Sequence, residues 1–389
     1  MRVAFIYALV LLLGSQAMAS IILVPQDQPT IQAGINAAQN GDTVLVSPGT
    51  YNETIDFMGK AITVASSDGP KVTTILGKGP ETVYVVNFSS LEGLSSVLTG
   101  FTIENGGLGI NISFSSPTIR NNVIQNNNEG ISAYFSSPLI TGNSVLNSTN
   151  FGGIVVDGMS NIQVLYNNVG NNISDFGGGL YLDGTQNALV ANNRIFNNQA
   201  TIQGGGIYIV NEADQILFQN LIVRNSANRG GGIYLQVPAS ISGILLANNT
   251  IADNDGAEGS AVYAGGFDDN DIFVNNLIVA KTGEIAVLCD TSYDPKPPLF
   301  AYSDAYASGG TAFQGSCAGD VGRNGNISID PLFVNAAGGN YQLNPGSPAI
   351  NAGYNSPRLP SRDLAGHPRI VGGIVDMGAY ENQGGVTPY

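Results

Sequence analysis

An all-β solenoid with three short strands in every turn is the fold this sequence predicts, and three observations predict it. An asparagine placed just before a short apolar step recurs at Asn122, Asn143, Asn168, Asn193, Asn220, Asn249 and Asn276, at intervals of about 21 to 29 residues. A glycine followed by an apolar residue drifts with the same period, at Gly109, Gly130, Gly153, Gly179, Gly206 and Gly232. Between these markers the segments are short, β-branched and alternating, as in residues 204–210 (GGGIYIV) and 215–223 (QILFQNLIV), with nothing helical among them. A unit of about 25 residues that holds three strands is one coil of a parallel β-helix. Residues 66–326 are assigned to that element. Coils stacked about 4.8 Å apart would bury Ile207, Ile209, Leu217 and Ile222 in one continuous apolar core.

The elements are read in chain order. Met1-Arg2, the apolar run of residues 3–13 and the small-residue pattern Ala17-Met18-Ala19 form an export signal over residues 1–19. The expected destination is secreted, extracellular or cell-surface. No later segment is long and apolar enough to span a bilayer, so an integral membrane protein is not expected. Residues 20–65 form the cap and first coils. Ile31, Ile35 and Ala38 share one helical face, Asn40-Gly41-Asp42 ends that helix, and residues 43–46 (TVLV) are expected as the first strand. In the coils, asparagine suits sharp left-handed corners, and its amide can bond the same amide one coil away. The glycines are expected at corners or close approaches. The GGG runs lack the following helix that a phosphate site requires. Cys289 and Cys317 lie about one repeat apart, and in an oxidising compartment they are expected to form a disulfide joining neighbouring turns. Residues 287–326, with the loop 294–298, are either a lid or a last irregular coil. Residues 327–389 form an irregular closing segment.

Composition narrows the function classes. Fourteen Lys+Arg stand against 29 Asp+Glu, a formal net charge of -15, so nucleic acid is not an expected partner. Hydrophobic residues make up 43% and follow a pattern, which excludes a disordered chain.

The opening run VPQDQPTIQAGINAAQNGDTVLVSPGTYNETIDFMGKAITV resembles the start of right-handed parallel β-helix repeat proteins of the pectin-lyase-like superfamily. The tail, with DPLF at 330–333, GSPAINAG at 346–353, DLAGHPR at 363–369 and VDMGAYE at 375–381, is similar to the closing segment of choice-of-anchor secreted bacterial proteins. The resemblance implies a right-handed, three-sheet solenoid and an exported protein. It does not name a reaction, because the superfamily spans lyases, hydrolases, esterases, epimerases and non-catalytic surface proteins. Gly49-Thr50-Tyr51-Asn52-Glu53 matches a methylesterase element whose catalytic partners are absent. The Gly-His-Gly and Arg-x-Lys elements of the polygalacturonase-like hydrolases are absent too.

Three sets of residues carry candidate chemistry. Strand alternation places Tyr181, Tyr208 and Tyr234 outward on successive coils, a stripe on which sugar rings can stack or which simply stacks on itself. Arg224 and Arg229 are the candidate bases for a uronate lyase or epimerase. Asp268, Asp269 and Asp271, with Asp253, Asp255 and Glu258 one coil earlier, are the candidate ligands for calcium. The leading expectation is a monomer that binds extracellular polysaccharide. A calcium-assisted lyase or epimerase acting on uronate-containing glycans is the alternative, and a structural or adhesion module is the third.

Overall fold

The computed structural model describes residues 19–158, 160–211, 214–237, 243–265, 270–292, 296–357 and 359–384. The export signal lies outside the described residues apart from Ala19. No helix among the described residues is long and apolar enough to cross a membrane.

Three long sheets form the solenoid. Sheet A has twelve strands, from Ile21–Val24 to Leu299–Ala301; sheet B has eleven, from Gly49–Tyr51 to Asp304–Tyr306; sheet C has eleven, from Ile55–Asp56 to Thr311–Gly315. Each strand pairs in parallel with the strand one coil away, for example Ile207–Val210 with Ile233–Gln236. A side chain that points inward on one coil therefore meets its counterpart on the next. In sheet B, Ile75, Ile103, Ile124, Val145, Val169 and Ile195 make one such column, each fully buried. Ile207, Ile209, Leu217, Ile222 and Ile233 are likewise fully buried. Each aliphatic side chain withdrawn from water contributes about 1.5–3 kcal/mol.

The corners carry the polar accounting. At the corner from sheet A to sheet B, Asn122, Asn143, Asn167, Asn193, Asn220, Asn249 and Asn276 form a buried ladder. Asn193 shows the unit: its Oδ1 accepts from the Asn167 N–H at 2.9 Å, and its Nδ2 donates to the Val164 carbonyl at 2.7 Å and to Asn220 Oδ1 at 3.0 Å. The third rung of this ladder is Asn167, not Asn168, which opens the strand Asn168–Gly170. The left-handed backbone falls to the residue before each ladder asparagine, among them Asn121, Tyr166, Asn192, Gln219 and Asn248. Two neighbouring residues thus divide the two jobs assigned to one. A second ladder, Asn172, Asn198, Asn225 and Asn254, serves the corner from sheet B to sheet C. The repeated glycines are close approaches: a Cβ on Gly130 would lie 2.3 Å from the Gly153 carbonyl oxygen one coil away.

The first strand is Ile21–Val24, paired with Thr43–Val46. Helix Ile31–Ala37 covers the open end of the core with Ile31 and Ile35. Thr30 caps it, the Glu53 carboxylate accepts from the N–H groups of Ile31 and Gln32, and Lys60 Nζ donates to the carbonyls of Ile35, Asn36 and Ala38. The GTYNE element is therefore part of the cap. At the other end, the strands within residues 285–315 form one more regular coil rather than a lid. Cys289 and Cys317 are joined, with Cα atoms 5.8 Å apart, and tie a sheet C strand to the turn that follows its neighbour. The closing segment folds back along the outside of the solenoid. Tyr341 donates to Asp253 at 2.7 Å, the Ala379 N–H donates to Thr250 at 2.9 Å, and Tyr380 packs with Leu221 and Val223.

Asn193→Ala leaves buried groups on two coils without partners and is expected to cost about 2–4 kcal/mol. Asn197→Gly, at an exposed left-handed corner, is expected to be neutral or stabilising. Urea denaturation midpoints of the two variants check the contrast. Reduction of Cys289–Cys317, separated by 28 residues, is expected to remove about 3–4 kcal/mol, read as a fall in the thermal midpoint.

Candidate functional site

The outer face of sheet C is where exposed side chains of chemical interest gather. Its central outward column runs Asn87, Asn111, Ser132, Val155, Tyr181, Tyr208, Tyr234, Tyr263. The column thus changes halfway, from small residues to stacked rings. Tyr181, Tyr208, Tyr234 and Tyr263 stack at centroid distances of 5.2, 5.2 and 4.9 Å. Tyr263 is the member that repeat reasoning missed, because its coil reads SAVYAG rather than GGGIYL. The rings do point out of the solenoid, yet Tyr234 and Tyr263 are only 3% and 4% exposed. Phe176 lies 5.4 Å from Tyr208, and the Arg229 guanidinium sits 5.7 Å from the Tyr263 centroid. The inner members therefore present no open ring face to a sugar, whereas the Tyr181 end meets a recess. The hydroxyls of Tyr181, Tyr234 and Tyr263 donate to Asp183, Gln236 and Asp290. Burial first, and the adjacent carboxylates second, push the Tyr181 and Tyr263 phenols up, so both remain donors.

Beside the tyrosines stands a wall. Strand Ile173–Phe176 pairs with Gln199–Gln203, and the stack continues through bridges at Ser226, Arg229, Asp255 and Glu258. Where the wall begins, the turn into sheet C lengthens from residues 147–151 to residues 171–179. That step encloses a recess of about 330 Å³, lined by Glu129, Asn150, Phe151, Ser174, Asp175, Phe176 and Tyr181, with Val155 also contributing. Glu129 is buried there, and its Oε1 has no hydrogen-bond partner. Burial raises its carboxyl from 4.5 to about 7, against a smaller lowering by the Ser132 hydroxyl. Sequence reading passed over Glu129, since it has no repeat signal: its neighbours in register are Leu108 and Gly152.

On the opposite edge, Phe114, Tyr134 and Phe135 form an open aromatic cluster. Phe114 and Phe135 stack at 5.9 Å, and Tyr134 meets each edge-on. Phe114 and Phe135 occupy corner positions with φ of 50° and 44°. The same corner on the next three coils is filled by Gly158, Gly184 and Asn211, residues that tolerate φ above zero.

The other candidates fall elsewhere. Arg224 donates to the carbonyls of Ala336 and Ala337 and lies over Tyr341, so it clamps the closing segment. Arg229 is paired with Glu258 at 2.7 Å. The two do not share a groove. Asp271 is buried, and its Oδ1 accepts from the Ile244 N–H at 2.6 Å, which places it at a corner rather than in solvent. Asp255 pairs with Lys281 at 2.6 Å, and Asp253 accepts from Tyr341. Asp268 and Asp269 lie outside the described residues.

Three parallel sheets, buried asparagine ladders and an outer face of this form make the chain a right-handed parallel β-helix protein of the pectin-lyase-like fold. Residues 20–204 match the family of the periplasmic copper-binding protein (NosD), and residues 168–294 match the right handed beta helix region. The pectate lyase Pel9A superposes with a TM-score of 0.57 at 14% identity, over 94% of this chain and 97% of its own. An alginate lyase from Paenibacillus sp. str. FPU-7 covers 79% of this chain and 97% of its own, at a TM-score of 0.43 and 14% identity. No curated protein matches the chain. The likeness to Pel9A shows the shared fold.

Protein-bound copper favours imidazole, thiolate and thioether donors. The chain has one histidine, and both cysteines are joined. Met377 is buried in the closing segment, while Met58 is exposed at the first coils. Among the described residues no three His, Cys, Asp or Glu side chains converge on a metal position. Among the described residues this donor set does not fit a copper centre.

The unfolded Glu129 carboxyl ionises near 4.5 and the folded one near 7, so the folded protein keeps a proton that the unfolded chain has released. Stability is therefore unpenalised below about 4.5, falls as pH rises to 7, and stays reduced above it. Asp304 and Glu381, also raised by burial to about 7, add to the same fall. Glu129→Gln is expected to remove its own share, on the order of 3 kcal/mol or less, measured as a flatter urea midpoint against pH.

Proposed function

We propose that this chain is an exported, non-catalytic module that binds extracellular polysaccharide across the outer face of sheet C. One observation carries the reading. Phe114 and Phe135, 58% and 40% exposed, stand stacked and open at left-handed corners where glycine or asparagine is cheaper by about 1–2 kcal/mol. Stacked rings held open to solvent at such positions suit a ligand that stacks. Tyr134 completes that edge, the small polar residues Asn87, Asn111 and Ser132 form the floor, Tyr181 ends that floor further along the same column, and Phe151 stands beside the recess. A pyranose offers both an apolar face for such rings and hydroxyls for such a floor. Within the tyrosine stripe, Tyr181 is the ligand contact, while Tyr208 and Tyr234 support it. Export is supported by the leader at residues 1–19, by the disulfide, which fits an oxidising compartment, and by the periplasmic family matched over residues 20–204. The lyase alternative loses its bases, because Arg224 and Arg229 are engaged elsewhere.

Retention on a panel of immobilised polysaccharides tests the reading. Tyr134→Ala and Phe135→Ala are each expected to weaken retention about tenfold with little change in stability. Tyr234→Ala is expected to cost about 3–5 kcal/mol of stability through its buried ring. Unchanged retention by folded Tyr134→Ala and Phe135→Ala variants would overturn the placement of the ligand.

A further inference from the structure

The recess at the foot of the tyrosine column differs in charge from what a polyuronate needs. Its lining includes the carboxyl groups of Glu129 and Asp175 and no lysine or arginine. The nearby wall guanidinium, Arg229, is already held by Glu258. Glu129 is 92% buried, taking its 8% exposure from the whole, and one of its oxygens has no partner. A carboxyl in that state is costly to ionise unless a cation arrives beside it. Aromatic rings stand on both sides of the recess, Phe151 being 57% exposed and Phe176 and Tyr181 half-buried. Rings that stack on a pyranose also attract an ammonium group through their faces. Asn150 adds an amide partner of the kind that sugar hydroxyls use, while the Ser174 hydroxyl is engaged by the Phe176 backbone and fixes the wall strand.

We infer that this recess is a subsite for an amino sugar, with the ring between Phe151 and Tyr181 and the primary ammonium group set against Glu129 and Asp175. The inference rests on the reading that the outer face of sheet C binds a saccharide chain, and it names the sugar class that one position of that chain takes. The ammonium supplies the counter-charge that Glu129 lacks in the free protein. Asp175 already accepts from the Thr201 hydroxyl through Oδ1 and keeps Oδ2 for the ligand. A uronate in the same place would set a third carboxylate against two, so polyuronates are excluded from this subsite.

Calorimetric titration of the full chain with oligomers of glucosamine, N-acetylglucosamine and galacturonate, near neutral pH, tests the inference. The amine oligomer is expected to bind about tenfold more tightly than the acetylated one, and galacturonate not at all. Glu129→Gln and Asp175→Asn are each expected to erase that preference by weakening the amine oligomer to the affinity of the acetylated one. Phe151→Ala is expected to weaken both hexosamine oligomers alike. Equal affinity of the wild-type chain for amine and acetylated oligomers, or a preference that survives Glu129→Gln, would overturn the inference and leave saccharide binding standing. Failure of every oligomer to bind would overturn the reading beneath it as well.

Discussion

A buried amide that accepts from the preceding coil and donates to the following one is the interaction on which the rest of this structure depends. Each corner of a β-helix turns backbone N–H and C=O groups away from the ladders on either side of it. Left in the interior without partners, each would cost about 1–3 kcal/mol. The side chain of Asn193 satisfies groups of Asn167 and Val164 and passes a bond on to Asn220. Repetition of that unit fixes the angular register of successive coils. Once register is fixed, inward aliphatic side chains fall into columns, and so do outward ones.

The proposed function rests on what those outward columns carry. On sheet C the central column changes from Ser132 and Val155 to Tyr181 and Tyr208, while the neighbouring turn grows into a wall. A change in side-chain size beside a change in turn length creates a step, and a step on a flat solenoid face is a place for a ligand to seat. The stacked tyrosines make the step rigid. Phenols held as donors to Asp183 and Asp290 leave those rings little freedom, so the half-buried end ring at Tyr181 is presented in one orientation. The open rings at Phe114 and Phe135 occupy the other edge at a cost in backbone strain, so the proposed binding role and the stabilising role fall to different aromatic residues of the same sheet.

Periodicity made the coils legible, and its failures are instructive. The asparagine marker located every coil from Asn122 to Asn276, yet it chose Asn168 over Asn167, since two adjacent asparagines look alike when only spacing is counted. The tyrosine stripe was visible at three coils and missed Tyr263, where the glycine run that flags the others is broken. Strand Ile21–Val24 was missed because it stands before the first repeat, and its pairing with Thr43–Val46 is non-local. Arg224 and Arg229 looked alike in sequence. One clamps a segment more than a hundred residues away and the other pairs within the wall, a difference no local pattern contains.

The sequence by itself determined the repeat, the alternation of inward and outward side chains, the capping helix and the pairing of the two cysteines. Each of these rests on interactions between neighbours along the chain or between equivalent positions one period apart. Only the tertiary structure decided which outward residues stay open. Tyr234 is covered by its neighbours on adjacent coils, Glu129 is buried beneath a wall built from later coils, and the closing segment returns along sheet B to hold Arg224. Burial is a sum over contacts from distant parts of the chain. The availability of a side chain to a ligand therefore emerges only when the coils are stacked.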